Sequence, residues 1–293
     1  MKLLDLFSGI GGFHLGLTQA GFKFDWAGFS EIDKYAKQTY SKHFPTAVDI
    51  GDVRAIRHKD LPSIDIITFG SPCQDFSIAG KRSGLGGTRS SLIGEAIRLI
   101  ADLRPRFFIW ENVKGTFSSN DGRDLWAIIQ AFTNIGGYRL EWQLLNTRWF
   151  RPQNRERIYL VGHLGDRSGR EVFPIGENVP VSMQRQRKIS PAITSRYYKQ
   201  GQPDPYIFNE KEVRIRKLTP TECERLQGFP DGWTEGQSDT QRYKQLGNAV
   251  TVPVVKAVGE KLNNCGESVT DLDNMDKLVG ERGFPHKIKG EIK

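Results

Sequence analysis

Cys73 lies in GSPCQDFS, residues 70–77, directly after the apolar run IDIITFG. If that run is a strand, the thiol sits beyond its carboxyl end, where open α/β sheets bind their ligands. A lone cysteine is more often a small buried hydrophobe than a nucleophile. The flanks here are unlike those of a core cysteine: Pro72 restricts the backbone, Gln74 and Asp75 are polar, and the following IAGKRSGLGGTRSS is a Gly- and Arg-rich loop long enough to move. A second apolar run, RFFIW, ends at Glu111 in ENV. A third segment, QNRERIYLVG, carries Arg155 and Arg157 on one strand face by the two-residue alternation. Thiol, carboxyl and guanidinium together answer one chemical problem. Carbon 5 of cytosine is too poor a nucleophile to take a methyl group directly, but a thiolate added at carbon 6 turns the ring into an enamine. A protonated or hydrogen-bonding carboxyl near ring N3 offsets the negative charge as it develops. An arginine can hold O2 and can lower the thiol pKa. Taken singly, Glu111 also reads as a capping or ion-paired acid and the arginines as phosphate contacts or solvated charge; their joint occurrence at strand ends is the less ordinary pattern.

A second group of residues suits a nucleoside cofactor. DLFSGIGGF, residues 5–13, puts Gly9, Gly11 and Gly12 in the first strand-to-helix turn, where the missing Cβ atoms let backbone approach a ligand. Glu31, about twenty residues on, can end the second strand and accept from a ribose diol; Asp52, in GDV, can end a third beside an adenine amino group. The same features suit NAD, and they also occur as ordinary turn glycines and surface acids.

The elements that must position these groups are an alternation of strands and helices. Apolar runs at 2–7, 24–30, 64–70, 107–110, 139–145 and 158–163 read as strands, with helical patterns between most of them, notably 90–103 and 125–135. This predicts an α/β, doubly wound, mostly parallel sheet covered on both faces, with a second, smaller irregular domain. The texture changes near Gly165, and residues 165–217 hold eleven Lys or Arg against six Asp or Glu, interleaved with Tyr197, Tyr198, Tyr206 and Phe208. Basic groups mixed with aromatics suit a nucleic-acid face, a solvated loop being the plainer alternative. From residue 238 the pattern tightens into a loop and helix that should pack back on the large domain. Beyond Cys265 the chain reads as a polar, loosely attached tail.

Composition sets outer bounds. The chain has 293 residues, 38% hydrophobic, with a formal net charge of +8. That length accommodates a large and a small domain, and the charge favours a polyanionic partner. Three widely spaced cysteines, Cys73, Cys223 and Cys265, argue against a disulfide framework and a CxxC metal site, and point to a reducing cytoplasm. Asp5 interrupts the apolar opening, which argues against a secretion signal, and no run reaches the roughly 18 apolar residues of a membrane span.

In this order and context the segments closely resemble those of the DNA (cytosine-5) methyltransferases, over most of residues 3–255. Residues 5–12 look like the family's cofactor loop, GSPCQDFS its PCQ nucleophile segment, ENV its carboxyl segment, and residues 153–157 its QxRxR segment; RKLTPTECERLQGFPD, 216–231, and YKQLGNAVTVPVV, 243–255, are similar to its ninth and tenth motifs. The resemblance implies that Cys73 attacks carbon 6, Glu111 contacts N3 and the exocyclic amine, and Arg157 contacts O2, with Arg155 supporting the site. It implies S-adenosylmethionine contacts at Phe7, Gly9, Ile10, Gly11, Gly12, Glu31, Ile32, Asp52, Val53, Pro72, Asn248 and Val250, and no metal. Cys223 and Cys265 fall in the ninth motif and beyond the tenth, so neither is a nucleophile candidate. It further implies a discontinuous catalytic and cofactor-binding domain, 1–164 with 239–264, a target-recognition domain at 165–238 with Ala192, Ile193 and Thr194 as its recurrent stretch, and a tail at 265–293. The implied partner is double-stranded DNA, met by a monomer in a bacterial cell or phage-infected host; an enzyme paired with a restriction endonuclease on another chain, a solitary one and a phage-encoded one all fit the resemblance. The competing readings are an RNA cytosine-5 methyltransferase on the same scaffold, a catalytically dead DNA-binding homologue and an NAD-linked oxidoreductase. Product analysis on tRNA and duplex DNA separates the first, the intact Cys73, Glu111 and Arg157 weigh against the second, and a labelled methyl-transfer assay disposes of the third.

Overall fold

A computed structural model of the chain describes residues 1–71, 92–165, 171–176, 189–199, 206–209 and 214–266. Its centre is a seven-stranded sheet. The strands are β1 (Lys2–Leu6), β2 (Trp26–Ser30), β3 (Val48–Asp49), β4 (Ile66–Gly70), β5 (Phe107–Val113), β6 (Tyr138–Asn146) and β8 (Glu156–Leu164). Their order across the sheet is β3-β2-β1-β4-β5-β8-β6, every pairing parallel except those of β8, which runs antiparallel to both neighbours. The expected strands are thus all present, their ends shifted by at most three residues. The third strand, expected to end at Asp52, is the short β3, which stops at Asp49.

Alternation along β1 shows why the sheet needs two covers. Leu3 enters one hydrophobic cluster while Leu4 and Leu6 enter the other. The first cluster is closed by α1 (Gly12–Gln19) and α7 (Val252–Gly266), through Phe13, Leu17, Val254, Val255, Val258 and Leu262. These two helices approach closely at glycines: a Cβ on Gly16 would lie 2.6 Å from Val255, and one on Gly259 2.7 Å from the Cβ of Ala20. The second cluster is closed by α3 (Leu92–Leu103) and α4 (Arg123–Asn134), through Ile93, Leu99, Ile100, Ile128 and Phe132.

A third cluster joins the cofactor-loop side to the far end of the chain: Ile10 and Ala36, the latter in α2 (Lys34–His43), pack with Ile193, Tyr197, Phe229, Trp233 and Leu246. The elements there are α5 (Pro220–Gln227) and α6 (Asp239–Asn248). Helix α5 starts with a capping box between Thr219 and Glu222 with Pro220 at its first turn, and stops at Gly228, φ +82°. Among the described residues between β8 and α5, β9 (Ser190–Pro191) pairs back with β7 (Gln153–Asn154), which precedes β8, and β10 (Tyr206–Asn209) pairs with β11 (Arg214–Lys217).

The expected domain edges move slightly. Val172, Phe173 and Ile175 are buried in the first cluster, and the backbone N–H groups of Val172 and Ile175 donate to Glu141 and Gln143 on β6 at 2.8 Å, so 171–176 packs with the large sheet although it follows Gly165. Helix α7 likewise runs through Gly266, past the expected start of the tail. Among the described residues no helix is long and apolar enough to cross a membrane.

Candidate active site

Strand order reverses between β1 and β4, since the chain steps from β1 to β2 and β3 on one side and continues as β4 and β5 on the other. The crevice beyond the carboxyl ends of these two strands is where such a sheet binds ligands. The loop after β1 fills one side of it. Phe7 has φ 51°, Gly9 φ +55° and Gly11 φ +84°. The left-handed backbone at Phe7 is unusual for a side chain of that size. A Cβ on Gly9 would meet nothing within 4 Å, whereas one on Gly11 would lie 2.5 Å from the Phe44 ring and one on Gly12 2.7 Å from Val250 Cγ2. Gly11 and Gly12 are therefore demanded by packing beneath the loop, and Gly9 leaves open space above it.

Glu31 locks the loop. Its Oε2 accepts from the Gly9 N–H at 2.9 Å and its Oε1 from the N–H groups of Ile32 and Asp33, both at 2.8 Å. Ile32 stands 73% exposed beside it, the most exposed of the large apolar side chains among the described residues. Ser30 donates to the carbonyl of Gly51 at 2.7 Å, which brings up Asp52 and the buried Val53. Asp52 does not end a strand as expected: β3 stops at Asp49, Gly51 turns with φ +82°, and Asp52 caps the short 3-10 turn Val53–Ala55. The Arg54 guanidinium bonded to it holds its carboxyl below the usual range. At the other end of the chain Val250 packs on Gly12, and Asn248, two residues earlier, is the exposed last residue of α6. Pro72 lies outside the described residues.

The other side of the crevice belongs to β4 and β5, whose register sets Gly70 opposite Glu111. Glu111 is 8% exposed, with the Arg157 Nε 3.1 Å from its Oε1. A Cβ on Gly70 would come within 3.2 Å of Oε2, so the glycine leaves the carboxyl its room. Burial pushes the Glu111 carboxyl above its ordinary range, and the guanidinium groups of Arg157 and Arg155 pull back against it. Arg157 reaches this point because β8 pairs Arg157 with Val113, the residue that closes ENV.

Arg155 behaves differently. It occupies the one-residue break between β7 and β8, and its guanidinium donates to the carbonyls of Ile193 at 2.9 Å, Gly247 at 3.2 Å and Ala249 at 2.9 Å. It ties its own segment to those of Ile193 and of Gly247 and Ala249, while its charge also reaches Glu111. Cys73 falls outside the described residues.

Residues 1–191 and 171–264 match the family model for C-5 cytosine-specific DNA methylase. This chain belongs to that family. It is 36% identical to the Type II methyltransferase M.NlaX of Neisseria lactamica, over 92% of this chain and 98% of that protein. It is 31% identical to the Type II methyltransferase M.Bsp6I of a Bacillus species, over 89% and 98% of the two chains. Its fold is like that of a Spodoptera frugiperda DNMT2 variant, with a TM-score of 0.71 at 20% identity, over 89% of this chain and 99% of that one. The NAD-linked and purely DNA-binding readings are thereby set aside: the chain is an S-adenosylmethionine-dependent DNA cytosine-5 methyltransferase.

In this methylase several supports escaped a residue-by-residue reading of the motifs. Ser71, the residue before Pro72, is gripped by the strand beside it: its Oγ accepts from the Trp110 Nε1 and the Asn112 Nδ2, each at 3.1 Å, and its carbonyl accepts from the same Asn112 amide at 3.2 Å. The ENV segment thus supplies both a carboxyl and the anchor for the start of the nucleophile segment. Gln153 accepts from the Ile193 N–H at 3.0 Å and donates to the Leu226 carbonyl at 3.1 Å. Gly247 passes so near Thr194 that an added Cβ would sit 2.2 Å from that residue's carbonyl carbon and oxygen. Ser71, Asn112, Gln153 and Gly247 each lie in a quoted motif, so the sequence marks their segments without naming their bonding partners.

Proposed function

We propose that this methylase modifies cytosine within a specific duplex DNA sequence, using Cys73 as nucleophile, Glu111 at N3 and the exocyclic amine, and Arg157 at O2. The observation that carries the assignment is the buried Glu111–Arg157 pair, 3.1 Å apart at the carboxyl end of β5, with β4 beside it leading through the anchored Ser71 into the PCQ segment. A carboxyl whose pKa is raised by burial is suited to holding a proton near N3 while Cys73 bonds to carbon 6. The electron pair of the carbon 5–carbon 6 double bond then resides in an enamine. After methyl transfer the hydrogen on carbon 5 leaves as a proton, the double bond re-forms and the sulfur departs. Carbon 6 cannot be attacked within the base stack, so the cytosine must be rotated out into this crevice.

The cofactor loop fits S-adenosylmethionine: open space lies over Gly9, the Glu31 carboxylate borders the loop, Ile32 is exposed beside it, and Asp5 Oδ2 and Ser8 Oγ at its base are buried with no hydrogen-bond partner among the described residues. Bound there, the sulfonium supplies an electrophilic methyl group. Phe7, Gly9, Ile10, Gly11, Gly12, Glu31, Ile32, Asp52, Val53, Pro72, Asn248 and Val250 hold it in this reading. Residues 165–238 read the target bases, supported by the basic, aromatic composition of 165–217. A companion restriction endonuclease belongs to the same reading, supported by the Type II relatives.

The decisive experiment replaces the hydrogen on carbon 5 by fluorine, which cannot leave as a proton. Duplex DNA with 5-fluorocytosine at the target, incubated with S-adenosylmethionine, should give a protein–DNA adduct that survives a denaturing gel, and Cys73→Ala should give none. A wild-type enzyme that methylates ordinary DNA yet forms no adduct, or an alanine variant that still does, would overturn the role of Cys73.

A further inference from the structure

The glycine loop that follows β1 is held from an unexpected direction. Trp233, 6% exposed, donates its indole N–H to the carbonyl of Ile10 at 3.0 Å, across 223 residues of sequence. The indole is itself immobilised. His43 stacks on it at 3.6 Å with an interplanar angle of 5°, and Nε2 of that histidine lies 2.7 Å from the Trp233 carbonyl oxygen. On either side of Trp233, the N–H groups of Gly232 and Thr234 donate at 2.7 and 2.8 Å to the two oxygens of Glu224, a fully buried carboxylate. Phe229, packed against the indole at 5.3 Å, also reaches to 3.4 Å from the Cβ position of Gly12.

The loop has need of such a tie. Phe7, Gly9 and Gly11 all hold left-handed backbone, a shape that persists only where its surroundings over-determine it. Glu31 fixes the loop at Gly9 and the Ser30 carbonyl fixes it at Ser8, both from the end of β2. Trp233 fixes Ile10 from the opposite side.

We propose that Trp233 is a positioning residue for the cofactor loop: the hydrogen bond from its indole to the Ile10 carbonyl sets the loop geometry and thereby the affinity for S-adenosylmethionine. This rests on the cofactor reading above. A tryptophan within residues 165–238 thus acts on methyl-donor binding without touching the donor.

The test removes the N–H and keeps the ring. Trp233→Phe, and benzothienylalanine placed at position 233 by amber suppression, both lack the donor, and the second preserves the bicyclic shape. Binding of S-adenosylmethionine and S-adenosylhomocysteine is measured by calorimetry on the full chain, alongside thermal unfolding without ligand and steady-state kinetics. Both replacements should weaken cofactor binding about tenfold, the scale of one neutral hydrogen bond. The loss should fall on the KM for S-adenosylmethionine rather than on kcat. Cofactor affinity within twofold of wild type in the benzothienylalanine protein would overturn the inference, whatever happens to its melting temperature. A wild-type chain that bound neither ligand would overturn the cofactor reading and this inference with it.

Discussion

Arg157→Ala should make the stability of this methylase depend on pH in a way that exposes the Glu111 carboxyl. The Arg157 Nε lies 3.1 Å from Glu111 Oε1, with both side chains largely buried. At an effective dielectric constant of about 20, that separation corresponds to about 5 kcal/mol of direct attraction. The carboxyl is nevertheless raised above its ordinary range, so the desolvation it suffers must exceed what the guanidinium returns. Without Arg157 the same burial is opposed only by Arg155, and the native-state carboxyl must rise further. A group raised in the native state contributes fully to stability below its unfolded value, about 4.3 for glutamate, and its contribution is lost as pH rises through the native value. In the variant that loss continues to higher pH than in wild type. The raised carboxyl takes up its proton more readily than an ordinary glutamate, so the substitution should be tolerated better near pH 5 than near pH 8.5, where the protein must either hold a proton or bury a charge without its guanidinium partner, at a cost of about 3–5 kcal/mol. Urea unfolding followed by circular dichroism at the two pH values measures the difference. The gap between wild type and variant should widen by about 3 kcal/mol from pH 5 to pH 8.5, and the double variant Glu111→Gln/Arg157→Ala should show no such widening. Parallel pH–stability curves for wild type and Arg157→Ala would refute the reasoning.

Glu111→Gln alone keeps the shape but cannot deliver a proton, so kcat should fall by about 10²- to 10⁴-fold while S-adenosylhomocysteine binding stays unchanged; full activity in rapid-quench methylation would remove Glu111 from the chemistry. Gly247→Ala would place a Cβ 2.2 Å from the Thr194 backbone and strain the strand of contacts that Arg155 spans, costing about 1–3 kcal/mol in urea unfolding; an unchanged midpoint would show that the two segments part freely. Cys223 is buried, and that burial, with Glu222 and Glu224 nearby, pushes its thiol up to about 12, so native protein treated with iodoacetamide at pH 8 should carry no label there by peptide mass spectrometry. Labelling of Cys223 before unfolding would contradict its place in the third core cluster.

What the sequence makes legible follows the range of the interaction that creates it. The sheet was readable because its cause is a local period: IDIITFG and RFFIW announce buried strands by composition alone. Glu111 and Arg157 were readable because the chemistry requires a carboxyl and a guanidinium, and both are visible as residue types. Arg155 is visible as a residue and both it and Arg157 act on Glu111, but its bonds to the carbonyls of Ile193, Gly247 and Ala249 are not legible in the motif. Trp233 carried no sign of its task at all. The common feature of Arg155, Gln153 and Trp233 is that each bonds to backbone of a segment remote in the chain. A main-chain carbonyl is the same at every position, so nothing in the residue types of Ile10 or Ala249 marks it as the acceptor. Motifs therefore mark segments by residue type, while the supports that tie Ile10, Ile193 and Ala249 to remote side chains are written in backbone geometry, where only the folded chain displays them.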